Sequence, residues 1–297
     1  SRGEQGWYVP VIFLTSVQTD RELARCLECG GDDFLNKPPN PIILKARIKA
    51  WLQRANLVNR LASDRQEVEE VILKMRQDDQ FNPHGLRVMM TPLEKTNGDI
   101  VLSACRADGV QHLMVGDFTG HGLAAAICGP LAADSFYRMT RQDLPLATII
   151  EQINATIFRR LPPNMFLASA FLELNRNAGT TRVWNANLPP VLMLRSGKIV
   201  ERFGATLPPL GIRKQLDDTL SGAEYPLEPG DRIYLYSDGS VETRSSTGDF
   251  FGEERMGRFL EALHPSEALE SLLPILETFR AGGEPSDDIT LVEVAWS

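Results

Sequence analysis

The sequence predicts an α+β domain preceded by a short α/β fragment and a long helix, and three observations carry that prediction. Residues 1–40 run strand, helix, strand in the cadence of a doubly wound sheet. Beyond Pro41, residues up to about Gln80 contain neither Gly nor a further Pro. From residue 82 onward, apolar strands are grouped between pairs of helical stretches, an α+β pattern and not an alternation of single βα units. A chain of 297 residues is long enough for about two domains.

The elements follow in chain order. Val9–Leu14 is a β-branched apolar run of the length of a buried parallel strand, ending at Thr15-Ser16. A helix is expected from Thr19 to about Cys29, closed by Gly30-Gly31, and a second strand at Asp33-Phe34-Leu35 runs into Asn36-Lys37-Pro38-Pro39. Pro41 suits the first turn of the next helix. Within that helix Leu61, Val68 and Met75 recur every seven residues, Leu57 and Val71 take the interleaved positions, and Asp64 interrupts the series. This is a coiled-coil seam, read as a dimerising helix, with a single amphipathic helix packed on its own chain as the alternative. Strands are expected at His112–Asp117, Phe166–Asn175, Arg182–Asn187, Val191–Arg195, Arg232–Ser237 and Ile289–Val294. Helices are expected at Gly122–Met139, Leu146–Leu161, Glu253–Leu263 and Glu267–Arg280. The resulting divisions are 1–56, 57–81 and 82–297.

Composition removes several function classes. Lys+Arg 31 against Asp+Glu 39 gives a formal charge of −8, so no basic surface is available to neutralise nucleic-acid phosphates or an anionic membrane. No apolar run approaches the ~18 residues of a membrane span. Four cysteines (Cys26, Cys29, Cys105, Cys128) are too few for a disulfide scaffold and suit a reducing, cytoplasmic setting. Cys26 and Cys29 have CxxC spacing inside a helical pattern without a second pair, which argues against metal or redox work.

Aspartates at strand ends beside small residues are the candidate chemistry: Asp99 in Asn97-Gly98-Asp99, Asp117 in Gly116-Asp117-Phe118-Thr119-Gly120-His121-Gly122, Asp238 in Ser237-Asp238-Gly239, and Asp287-Asp288 before Ile289. Singly, each reads as a turn or a helix cap. Together they suggest convergence, because carboxylates gathered in a dry pocket need compensating charge, which a hard divalent cation supplies. Two such ions would acidify a bridging water and neutralise charge on a transferred phosphoryl group.

Gly116–Gly122 followed by Ala124-Ala125-Ala126 resembles the central motif of the bacterial metal-dependent serine/threonine phosphatases of the PPM, or protein phosphatase 2C-like, superfamily, in its sigma-regulator and sporulation branch. Supporting pieces occur in the same order: Asn97-Gly98-Asp99, Met165–Ala170, Leu207–Ile212, Gly230–Gly239, Phe251–Arg255 and Asp287–Leu291. The resemblance implies a β-sandwich flanked by helical layers and two divalent cations, manganese or magnesium, at one end of the sandwich. It implies that Asp117 bridges the metals beside the backbone carbonyl of Phe118, that Asp238 and Asp287 hold one metal, and that Asp99 supports the other. Asp117, Asp238 and Asp287 would be the catalytic set, with His121 and Asp288 in supporting or unassigned roles. The implied reaction is one-step attack of a metal-bound hydroxide on phosphoserine or phosphothreonine of an anti-sigma-factor antagonist. The chain departs from that pattern where Asn97 replaces a Gly, where Leu102 replaces an Asp, and where Ala186-Asn187 replaces Gly-His before Leu188-Pro189-Pro190.

Val9–Ser16, the helix to Cys29 and Asp33–Pro38 resemble the second half of a response-regulator receiver domain. The resemblance makes Thr15 the switch hydroxyl and Lys37 its cationic contact, joined to Pro38 by a bond that can be cis. The family's acidic pair and phosphoacceptor lie on earlier strands, so the reading is a truncated receiver whose parent answers to an upstream sensor kinase. The function expected is a phosphoprotein phosphatase of a two-component, partner-switching pathway, homodimeric through its helix, with neither nucleic acid nor membrane as partner. The alternative is a non-catalytic, receiver-controlled adaptor that binds a sigma-factor regulator, and the retained carboxylate cluster argues against it. A nuclease or cyclase with an acidic site would share the metal logic but lacks a basic groove.

Overall fold

The computed structural model describes residues 7–16, 24–25, 28–76, 80–93, 95–120, 122–216, 220, 222 and 224–296. The chain divides into two compact units, Ser1–Val71 and Ile72–Ser297. His121, Cys26 and most of the helix expected over 19–29 lie outside the described residues.

In the first unit, β1 (Ile12–Thr15) and β2 (Asp33–Asn36) form a parallel pair with Thr15 opposite Asn36. The Lys37 N–H donates to the Thr15 carbonyl at 2.7 Å, and the Lys37–Pro38 bond is cis. Thr15 and Lys37 therefore stand together at the ends of adjacent strands. Helix α1 (Pro41–Arg76) starts where Asn40 Oδ1 accepts the Ile42 N–H at 2.9 Å, an Asx cap that Pro41 leaves free by lacking a donor of its own. Trp51 Nε1 donates to Asp33 at 3.0 Å, and the Asn59 amide exchanges two hydrogen bonds with the Tyr8 backbone, fixing the helix on the strand pair.

The second unit is four layers deep. One antiparallel sheet has the order β10-β7-β6-β5-β4: β4 Asp99–Cys105, β5 Gln111–Phe118, β6 Leu167–Asn175, β7 Thr180–Ala186, β10 Glu224–Pro226. The other has the order β3-β12-β11-β8-β9: β3 Leu86–Thr91, β8 Val191–Arg195, β9 Lys198–Phe203, β11 Arg232–Tyr236, β12 Ile289–Ala295. Side-chain alternation builds the layers. Leu113 and Val115 of β5 meet Ile233, Leu235, Val292 and Val294 between the sheets. Met114 and Phe118 point the other way, into a core with Phe136 of α3 (Gly129–Arg141) and Ile149, Ile150 and Ile153 of α4 (Leu146–Arg160). On the opposite outer face Tyr234, Tyr236 and Leu291 pack against Met256 and Leu260 of α6 (Gly252–Ala262) and Leu272 and Leu276 of α7 (Leu272–Arg280). The short helices α2 (Leu123–Ala126) and α5 (Asp238–Val241) follow β5 and β11 directly.

The expected α+β sandwich with flanking helices is what forms. Two helices differ in extent. The helix expected over Gly122–Met139 is broken between α2 and α3, because Pro130 cannot continue a helix and instead opens a new one near its N-terminus. The helix expected from Glu267 begins at Leu272, after a single 3-10 turn at Leu269–Ser271. Strands β3, β4, β9 and β10 were not anticipated. Of these, β3, β9 and β10 carry half-exposed residues and are short or at sheet edges, so no strong alternation marks them.

Candidate metal centre

The site is assembled by two strand pairs, one from each sheet. Across β4 and β5, Asp99 and Asp117 are direct register partners. Side chains opposite one another in an antiparallel pair stand ~5 Å apart, and two like charges there repel. In the other sheet β11 runs into Ser237-Asp238-Gly239 while β12 is preceded by Asp287-Asp288. The Ser237 N–H donates to the Thr290 carbonyl at 3.0 Å, and the Thr290 N–H donates to Ser237 Oγ at 2.9 Å. This stitching lets Gly239 press on the other turn so closely that a Cβ there would fall 2.0 Å from the Asp288 carbonyl oxygen and 3.2 Å from Asp287 Cβ. Glycine at 239 is therefore what brings Asp238 beside Asp287.

Electrostatics record the convergence. Burial first, then the charges of Asp99, Asp238 and Asp287, push the Asp117 carboxyl up to about 9. Asp99 is 1% exposed; burial pushes it up to about 7, with Asp288 and Asp238 adding to the rise and the Thr290 and Ser237 hydroxyls acting against it. Asp238 is also raised, by burial and then by Asp287 and Glu242, and it shares a hydrogen bond with Asp117. Without a compensating cation the cluster holds protons that ordinary carboxylates would have lost.

Asp288 is placed differently. Its two oxygens accept the Leu93 and Gly98 N–H groups, each at 2.7 Å, so it ties down the loop that delivers Asp99. Gly98 in turn lies against the Phe118 carbonyl: a Cβ at 98 would come within 3.0 Å of that oxygen. The Phe118 side chain is fully buried, which fixes the backbone carbonyl beside Asp117. Sequence reasoning found the acidic residues and left Asp288 in a supporting or unassigned role, but it missed the Leu93 and Gly98 N–H groups as its partners and the Ser237 and Thr290 hydroxyls beside Asp99. The available signal was a hydroxyl immediately before Asp238 and another two residues after Asp288.

The departures from the phosphatase pattern are accommodated. Leu102 is buried in the core beneath α3, on the opposite face of β4 from Asp99. Asn187 has φ 69°, a left-handed turn conformation that Asn tolerates without a glycine. The preceding Asn185 holds the turn through Leu188 N–H and the Pro189 and Phe203 carbonyls.

Among the described residues, no group of three or more His, Cys, Asp or Glu side chains closes into a cage that could hold a metal as it stands. The chemistry of the donor set nevertheless fits hard divalent cations: all-oxygen, desolvated, mutually repelling, and few enough to leave water in the coordination shell, as magnesium requires.

Comparison with known proteins agrees with this architecture. The family described as Stage II sporulation protein E (SpoIIE) matches residues 107–297. Protein IcfG of Synechocystis is 23% identical over 285 residues, covering 85% of this chain; the chain spans 44% of that relative's length. In the N-terminal region, the phosphate regulon regulator PhoB of Shigella flexneri is 42% identical over 88 residues, 29% of this chain and 34% of PhoB, which supports the receiver resemblance. The SiaA-PP2C domain of Pseudomonas aeruginosa shares the fold with a TM-score of 0.67 at 18% identity, over 80% of this chain and 99% of that domain. The chain belongs to the Stage II sporulation protein E (SpoIIE) family and has a PP2C-like phosphatase fold behind a receiver-like segment.

Proposed function

We propose that this chain is a metal-dependent phosphoprotein serine/threonine phosphatase of a partner-switching pathway, working in the cytoplasm on a phosphorylated anti-sigma-factor antagonist. The observation that carries the reading is Asp117, a buried carboxylate acted on by three others from separate turns. A scaffold gains nothing from that repulsion, whereas a cation site needs it. Asp99, Asp117, Asp238, Asp287 and the Phe118 carbonyl would hold two manganese or magnesium ions. When bound, these supply an acidified water and positive charge for the phosphoryl oxygens.

The chain's own residues do the rest. Asp117 would be shared between the two cations, because it faces Asp99 of its own sheet and both Asp238 and Asp287 of the other. Asp238 and Asp287 are held together by the Gly239 contact, and Asp99 is held by the Asp288-anchored loop. The Ser237 hydroxyl and the Thr290 backbone fix the turn from which Asp238 projects.

Residues 1–56 would be the receiver segment with Thr15 and Lys37 as its switch pair, 57–81 the linker and 82–297 the phosphatase. Of the seam residues, Leu57, Leu61, Val71 and Met75 are 58–60% exposed and Val68 is 41% exposed, more than apolar side chains of a packed monomeric helix retain. This supports a homodimer through α1, paired or separated under control of the receiver and its sensor kinase.

Manganese-dependent hydrolysis of a phosphoserine protein tests the proposal: activity in the wild type, abolished in Asp117→Asn, is the expected result. The second reading, an adaptor binding a sigma-factor regulator, is favoured by the open arrangement of the carboxylates. A wild type that is inert with manganese and magnesium yet binds such a regulator would establish it.

A further inference from the structure

Beside the carboxylate cluster lies a second feature of different charge. Gly239, Thr243, Arg244, Arg280, Glu284 and Asp287 line a pocket of about 100 Å³. Of the four clustered aspartates, Asp287 alone lines it, so the pocket shares one wall with the centre and does not open onto Asp99, Asp117 or Asp238. Among the described residues, neither Arg244 nor Arg280 has a carboxylate within ion-pair distance. Arg244 instead stacks on Phe250, 4.4 Å from the ring centroid, and that contact holds its guanidinium in place. Arg280 ends α7, where its Nε is shielded from water without a hydrogen-bond acceptor. A buried donor left unmatched is costly, and an incoming acceptor relieves the cost. Arginine planes present paired donors that match a carboxylate.

We propose that Arg244 and Arg280 form a recognition subsite for an acidic side chain flanking the phosphorylated residue of the protein substrate; this deepens the phosphatase reading and rests on it. The size of the pocket suits a carboxylate head and excludes a peptide segment. Its position beside the centre, and not over it, separates this role from contact with the transferred phosphoryl group. With Asp287 engaged by the centre, exposed Glu284 is the remaining acidic residue among those lining the pocket, against two arginines, so the pocket keeps positive charge for a ligand.

The test uses the full chain with manganese and four probes: p-nitrophenyl phosphate and three phosphoserine peptides of equal length, with glutamates, glutamines or lysines flanking the phosphoserine. The wild type should prefer the glutamate peptide by about tenfold in kcat/KM, the scale of one or two charge pairs at a half-exposed site. Arg244→Gln and Arg280→Gln should each shrink that ratio by about threefold, mainly through KM. Arg280→Glu should favour a lysine-flanked peptide, a gain that misfolding cannot imitate. A wild-type ratio near one, or a ratio the variants leave unchanged, overturns the proposal. Equal losses on p-nitrophenyl phosphate and on every peptide would assign the arginines to the transferred phosphoryl group and overturn it too. Peptide binding to Asp117→Asn by fluorescence anisotropy separates this idea from the parent reading. Tighter binding of the glutamate peptide, weakened by adding Arg280→Gln, supports the subsite even if the wild type is inert on every probe, and equal binding of both peptides refutes it.

Discussion

At the scale of single residues, function and stability pull against each other at Asp117. Its carboxyl is buried among three like charges, and an amide of the same shape removes the repulsion. Asp117→Asn should therefore abolish metal-dependent turnover while stabilising the metal-free protein by about 1–3 kcal/mol, visible as a melting temperature higher by several degrees. A lower or unchanged melting temperature would mean the four carboxylates do not repel as the geometry implies. Asp288 shows the opposite balance. Asp288→Ala strands the Leu93 and Gly98 N–H groups, each at a cost of about 1–3 kcal/mol, and frees the loop carrying Asp99. Manganese affinity, measured by calorimetry, should fall by roughly tenfold or more, as for outer partners of metal ligands in general. The acidic residues themselves were legible in the sequence because Asp beside Gly at the end of an apolar run is a short, local signal. The resemblance already separated Asp287 as a ligand from Asp288, but the partners of Asp288 were not legible, because Leu93 and Gly98 lie 195 and 190 residues away in the chain and only the fold brings their N–H groups to it.

At the scale of elements, long regular segments were readable and edges were not. The central strands β5, β6, β11 and β12 announce themselves by continuous apolar content, since both faces are covered. Edge strands such as β9 and β10 are half in water and blend into turns. The length of α1 was legible through the absence of Gly and of any Pro after Pro41, whereas its seven-residue spacing, interrupted by polar residues such as Asp64, belongs to the proposed dimer. Leu61→Asp with Val68→Asp should convert a dimer to a monomer in analytical ultracentrifugation, and a monomeric wild type at micromolar concentration would remove the dimer from the proposal. The junction of β8 and β11 gives a pH prediction. Asp231 is pushed upward by burial, but the bidentate Arg195 guanidinium (2.9 and 2.7 Å) and the Glu228 N–H outweigh this and hold it below the usual carboxylate range. Burial as area (1% exposed) is more complete than the neighbouring charge environment, since Arg195 stays 31% exposed, so screening limits the pair to about 1 kcal/mol. The folded form favours the ionised state, so its contribution is present above the ordinary carboxylate value and lost as pH falls through the depressed one. Asp231→Asn should be less stable than wild type at pH 7, and the gap should close progressively in urea titrations as acid protonates Asp231 in the folded protein.

At the scale of the whole molecule, the two sheets each deliver half of the site, and this makes cation binding and global stability the same measurement. Asp99 and Asp117 belong to one sheet; Asp238 and Asp287 sit at the turns of the other. Unfolding separates the halves, so the unfolded chain cannot retain the site, and any cation bound with useful affinity must stabilise the fold by mass action. At a hundredfold excess over Kd the gain is about 2.7 kcal/mol. For a unit of this size that corresponds to roughly 5–10 °C. Manganese should produce that rise in the wild type, a much smaller one in Asp287→Asn, and none in Asp117→Asn, because Asp117 faces Asp99, Asp238 and Asp287 together. Equal rises in all three proteins would place the cation elsewhere on this acidic surface. A rise lost in Asp117→Asn but fully kept in Asp238→Asn would show that the second sheet contributes nothing, and that the centre is confined to the β4–β5 pair.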